Sequence, residues 1–131
     1  MSYIEELYKT RKWYVSHEIL CIEPIEAIDQ NEFIVWENLI LIEAHSPEEA
    51  YIKAIERGIA NESEISIGEK KGTIKFKGLK DLVLIYDDLE DGAEIEWREM
   101  KLSKKEIELL LKKKEDFHAF NPTNFDKDSL E

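Results

Sequence analysis

Between residues 13 and 23, Trp13, Val15, Ile19 and Cys21 fall on one parity, interrupted by His17; this predicts a strand with one mainly buried face, stopped by Pro24. After a polar connection at Asp29, Gln30, Asn31 and Glu32, residues 33–44 are apolar on both parities except at Glu37, Asn38 and Glu43. That run predicts a central strand covered on both faces and bulged near Glu37 and Asn38. A helix over 47–57 follows: Ser46 and Glu49 form a capping box around Pro47, Ala50, Tyr51, Ala54 and Ile55 make an apolar stripe, and Gly58 supplies the stop.

Residues 60–72 are polar and contain two glycines, which predicts a loop with a short extended piece at 65–67. Beyond it, a strand over 73–77 buries Ile74 and Phe76 and turns Lys75 and Lys77 outward. A turn at 78–80 joins it to a strand over 81–86, and the two are expected to pair as a hairpin. The acidic stretch 87–92 reads as a turn ending on Gly92, and the alternation of Ala93, Ile95 and Trp97 with Glu94, Glu96 and Arg98 predicts a half-buried strand over 93–101.

Ser103 and Glu106 cap a last helix through residue 113, with Ile107, Leu110 and Leu111 inward and Lys112, Lys113 and Lys114 complementing its C-terminal dipole. At the other end, Tyr3, Ile4, Leu7 and Tyr8 sit at helical spacing behind Ser2 and Glu5 and predict a short helix. The expected fold is therefore α+β: a single antiparallel sheet of about five strands, two main helices packed on one face, and a short N-terminal helix. Residues 1–12 form a helical segment, 13–116 the core, and 117–131 a tail ordered only where Phe117 or Phe120 docks.

The chain's 131 residues, 43% of them hydrophobic, suit one domain with one core. No apolar run approaches the roughly 18 residues of a membrane span, and the acidic start lacks the apolar stretch of a signal peptide. Cys21 is the single cysteine and lies in an apolar run, which fits a buried thiol in a reducing, cytoplasmic compartment. A net charge of −12 disfavours nucleic acid and anionic membrane surfaces as partners. Residues 1–66 contribute −9 of it, from fourteen acidic and five basic side chains, so a basic protein partner would meet the first half first.

Candidate chemistry is sparse. Asp87, Asp88, Glu90 and Asp91 cluster, but without the spacing of a calcium loop, and they read as a solvated turn or a partner-binding loop. His17, His45 and His118 form no zinc-type pair, and a nucleophilic pairing of Cys21 with a histidine has no signature. Gly68 and Gly72 bracket Glu69, Lys70 and Lys71, too little glycine for a phosphate cradle; Lys70, Lys71, Lys75, Lys77 and Lys80 read as guards of an exposed edge strand. Trp36, Glu37 and Asn38 are the odd residues of the second strand, since polar groups in an apolar run must find partners or reach a cleft. The candidate partner or pocket residues are thus Trp36, Glu37, Asp88, Glu90 and Asp91; no catalytic residue, metal ligand or cofactor is expected.

Three stretches in this order carry a family resemblance: Trp13-Tyr14-Val15-Ser16, then Trp36-Glu37 leading into the acidic helix after Ser46, then Leu89-Glu90-Asp91-Gly92-Ala93-Glu94. Together they resemble the bacterial family of unknown function DUF4288 over about residues 13 to 100. The resemblance implies a bacterial protein and one compact domain, and it brings no catalytic residue with it. Three functional readings stand: a protein-binding module, including an immunity protein or inhibitor that masks a basic toxin; a small-ligand domain with a pocket near Trp36 and Glu37; and, behind both, an enzyme using scattered carboxylates.

Overall fold

The computed structural model describes residues 6, 9–26 and 32–121. Its centre is one antiparallel four-stranded sheet in the order β2-β1-β4-β3. β1 (Trp13–Pro24) pairs with β2 (Ile34–Glu43) on one side and with β4 (Lys70–Leu84) on the other; β3 (Ser63–Ile67) closes the far edge against the start of β4. A 14-residue helix, α1 (Pro47–Ala60), lies on one face, and a seven-residue helix, α2 (Lys104–Leu110), follows the sheet. The fold is thus α+β with an antiparallel sheet, as the sequence predicts. The expected N-terminal helix falls largely outside the described residues.

The core forms where α1 meets the sheet. Tyr14 of β1 stands between Ile42 of β2 and Leu84 of β4 in register, and Ala50 and Ala54 of α1 press on this layer with no exposed surface. Small residues at i, i+4 and i+8, with Gly58 completing the row, let the helix backbone approach closely. Tyr51, expected in the stripe, is exposed. Ser46 accepts a hydrogen bond from the Glu49 amide at 3.1 Å, while the Glu49 carboxylate returns to the His45 amide at 3.3 Å rather than to Ser46.

Gly58 does not end the helix, which runs to Ala60; a Cβ at Gly58 would sit 2.3 Å from the Phe76 ring, so the glycine is a packing residue. Gly58→Ala, which at an open helix position would gain about 0.5–1 kcal/mol, should instead lower stability by about 1–3 kcal/mol through overpacking. A fall in the urea midpoint at constant slope checks this, and a rise would mean that Phe76 turns aside.

Residues 73–86 are not a hairpin. They belong to the single 15-residue strand β4, and Gly78, at φ +135°, forms no turn but sits where the register against β1 shifts. The hairpin partner of β4 is β3, built from the supposed loop, with Gly68 at φ 62° turning the chain. Lys75, Lys77 and Lys80 lie on the part of β4 beyond its pairing with β3.

The segment 93–101 joins no ladder, so the described residues hold four strands where about five were expected. β2, predicted to be central and covered on both faces, is an edge strand; the strand buried on both faces is β1, with Tyr14, Val15, Ser16, His17 and Glu18 all buried. Of the two described α-helices, α1 packs on the sheet. α2 has the expected capping box, with Ser103 and Glu106 each accepting from the other's amide at 3.2 Å, but it ends at Leu110 and buries no residue. Phe117 and Phe120 are exposed as well.

Candidate functional site

The middle of β1 places three consecutive polar residues, Ser16, His17 and Glu18, in the most buried part of the sheet. Strand periodicity sends Ser16 and Glu18 under α1 and His17 to the opposite, outer face. Under the helix, Glu18 has no exposed surface; its Oε1 accepts from Asn61 Nδ2 at 2.7 Å and from Asn38 Nδ2 at 3.5 Å. Its Oε2 and the Ser16 hydroxyl have no hydrogen-bond partner among the described residues.

On the outer face, His17 is clamped. Its Nε2 is 2.8 Å from Glu96 Oε2 and its Nδ1 is 3.3 Å from Glu37 Oε2, while Lys80 Nζ donates to Glu37 Oε1 at 3.0 Å. A neutral imidazole has a single N–H and can donate to one carboxylate; the imidazolium donates to both. The Lys80 ammonium first, and His17 second, hold the Glu37 carboxyl below its usual range.

The clamp joins three elements distant in sequence: β1, β2 and the irregular segment after β4. That segment is aimed by the acidic turn before it. Gly92 takes φ +87°, Ala93 N donates to the Glu90 carbonyl at 3.0 Å, and Glu94 N donates to Asp87 Oδ2 at 2.8 Å. Asp88 is tied to Arg11 by an ion pair. The chain is thereby turned back so that Glu96 meets His17 on the outer face.

Beside the clamp lies a cleft of about 320 Å³, lined by Asp81, Val83, Tyr86, Asp87, Glu94, Ile95, Glu96 and Trp97 among others. Among the described residues its walls carry four carboxylates and no cation, and Trp97 at 67% exposure forms an open apolar lip.

The sequence-predicted residues are dispersed. Glu37 belongs to the clamp; Trp36, its neighbour, points to the helix-covered face opposite Leu20 and does not share a pocket with it. Asp88, Glu90 and Asp91 are exposed on the turn that aims the cleft segment, and none of them lines that cleft. The sequence reading takes His17 as an unpaired histidine, Lys80 as an edge guard and Glu96 as a solvent-side strand residue, passes over Glu18 and brings none of them together, although three adjacent polar residues in an otherwise apolar strand are a usable signal.

Chemically, both His17 nitrogens are engaged, so the ring presents no free lone pair to a substrate. Cys21 stands four residues away on the same strand face, about 13 Å at ordinary strand rise, too far to pair with it. Among the described residues, no group of three or more His, Cys, Asp or Glu is placed to hold a metal ion, and no helix is long and apolar enough to cross a membrane.

No curated protein and no solved structure matches the chain. One family model does, described as "Domain of unknown function (DUF4288)", and it covers residues 13–97, from the first residue of β1 to the Trp97 lip of the cleft. The match takes in His17, Glu37, Lys80 and Glu96 and leaves α2 outside, and on its extent the chain belongs to the DUF4288 family.

Proposed function

We propose that this domain is a non-enzymatic protein-binding module of the bacterial cytoplasm, and that it receives a basic partner on the outer face of its sheet. The observation that carries the reading is the cleft beside the His17 clamp, where Asp81, Asp87, Glu94 and Glu96 surround the apolar surfaces of Val83, Tyr86, Ile95 and Trp97. A lysine or arginine side chain combines an aliphatic stem with a cationic head and fits such walls; the ring of Trp97 adds a cation–π face. The surrounding charge of −12 would speed encounter with a basic protein. An immunity protein masking a basic toxin is one instance of this reading.

The cleft supports a small-ligand reading less well. Its lip is open, whereas small-molecule sites bury most of their ligand.

A lysine-rich amphipathic peptide should bind at low ionic strength, weaken as salt is raised, and change the Trp97 fluorescence. Glu94→Lys should reduce its affinity several-fold, and Trp97→Ala should remove the optical response. Absence of binding at low salt, or equal binding by a variant carrying both changes, would end the proposal.

A further inference from the structure

Among the described residues, two apolar surfaces are left without cover, and they are of opposite kind. On the outer face of the edge strand β2, Val35, Leu39 and Leu41 form a row about half exposed, interrupted by Glu37 and ended by Glu43. On α2, Ile107, Leu110 and the adjoining Leu111 lie at i, i+3 and i+4, all about half exposed or more. Neither surface is covered by another described element: α2 buries no residue, and the segment 93–97 covers His17 but leaves the β2 row open.

Charge and length match them to each other. Residues 101–114 hold six lysines and two glutamates, +4, so the remainder of the chain carries −16. The three apolar residues of β2 span about 20 Å at the usual strand rise, enough for a seven-residue helix of about 10 Å and its flanking lysines.

We propose that the occupant of the β2 outer face is α2 of a second copy of the chain, exchanged reciprocally about a two-fold axis. The inference rests on the reading of the outer face as a protein-binding surface and names its partner. In a two-fold dimer the contact is made twice, which takes a short helix toward the roughly 1,200–2,000 Å² buried in stable interfaces. The lysines at either end of α2 then face the carboxylates of the partner's sheet and cleft. Glu37 and Glu43 already hold Lys80 and Lys12, and Glu96 holds His17, so the cleft carboxylates without a cationic partner among the described residues are Asp81, Asp87 and Glu94.

Sedimentation equilibrium tests the exchange. The native chain should have twice the monomer mass at low salt and dissociate more readily at high salt. Ile107→Asp with Leu110→Asp removes the donor, and Leu39→Asp with Leu41→Asp removes the acceptor; all four positions are exposed, so both variants should fold, as circular dichroism would verify. Each variant alone should be monomeric. Mixed, they should form a weaker dimer, because the intact helix of one meets the intact face of the other.

A monomeric native chain, or a donor variant that still dimerises, overturns the proposal; so does a mixture that stays monomeric. If the native chain is monomeric yet still binds the lysine-rich peptide, the outer face remains a protein-binding surface and only the second copy is wrong. If it neither dimerises nor binds the peptide, both readings fall.

Discussion

Truncating Ile42 to alanine should cost about 2–5 kcal/mol, whereas the same truncation at Leu41, the next residue, should cost about 1 kcal/mol or less. Ile42 is 2% exposed and packs with Tyr14, Leu84 and the two alanines of α1; Leu41 is 46% exposed on the outer face. Removing three carbons from Ile42 leaves a void under α1 that a helix seated on Ala50 and Ala54 cannot close without shifting as a body. The measurement is the urea midpoint at constant slope, in protein dilute enough to be monomeric, so that contacts between copies do not enter. Equal costs at the two positions would mean that β2 is covered on both faces within one chain, as its composition suggests.

That composition misleads for an identifiable reason. An apolar run on both parities normally marks a strand with two covered faces, and Val35, Leu39 and Leu41 satisfy the rule without being covered. The converse holds at β1, where Trp13, Val15, Ile19 and Cys21 on one parity predict a single mainly buried face although Ser16 and Glu18 on the other parity are buried too. Both mistakes come from equating polarity with exposure. Polar groups can be buried when they find partners, and apolar ones can be exposed when a surface is kept for something else.

Local signals survived better. The caps at Ser46 and Ser103, the strand stop at Pro24 and the turn at Gly92 were all legible, because each is decided by a few neighbouring atoms. Gly58 and Gly78 were misread as a stop and a turn: in one case the deciding atom was the Phe76 ring, in the other the register against β1. For the site, Glu37 was flagged as a polar residue in need of a partner, but its partners His17 and Lys80 are 20 and 43 residues distant, and spacing in sequence could not pair them. Glu96 was assigned to the solvent side of a strand that does not form.

His17→Leu should uncouple the cleft from the sheet. The leucine approximates the volume of the imidazole and removes both nitrogens, so Glu96 loses its 2.8 Å partner while the core beneath stays filled. Loss of that hydrogen bond to a charged group should cost about 1.5–3 kcal/mol. The amides of 93–97 should exchange faster, since their tie to β1 is gone, and the lysine-rich peptide should bind more weakly although no residue of the cleft wall has changed.

The same variant has a pH signature. In the native chain the Glu37 carboxyl is depressed by Lys80 first and His17 second, so its contribution is fully present above its unfolded value and lost as pH falls through the lower folded one. In His17→Leu the carboxyl should titrate closer to its ordinary value, yet still below it because Lys80 remains. The stability gap between the two proteins should therefore narrow on acidification below about pH 4.3, the ordinary glutamate value. Carboxyl carbon shifts of Glu37 followed by NMR, with urea midpoints at matched pH, check both statements. A variant more stable than the native chain, with unchanged exchange at 93–97, would show that the segment is held from elsewhere and that the clamp is not what positions the cleft.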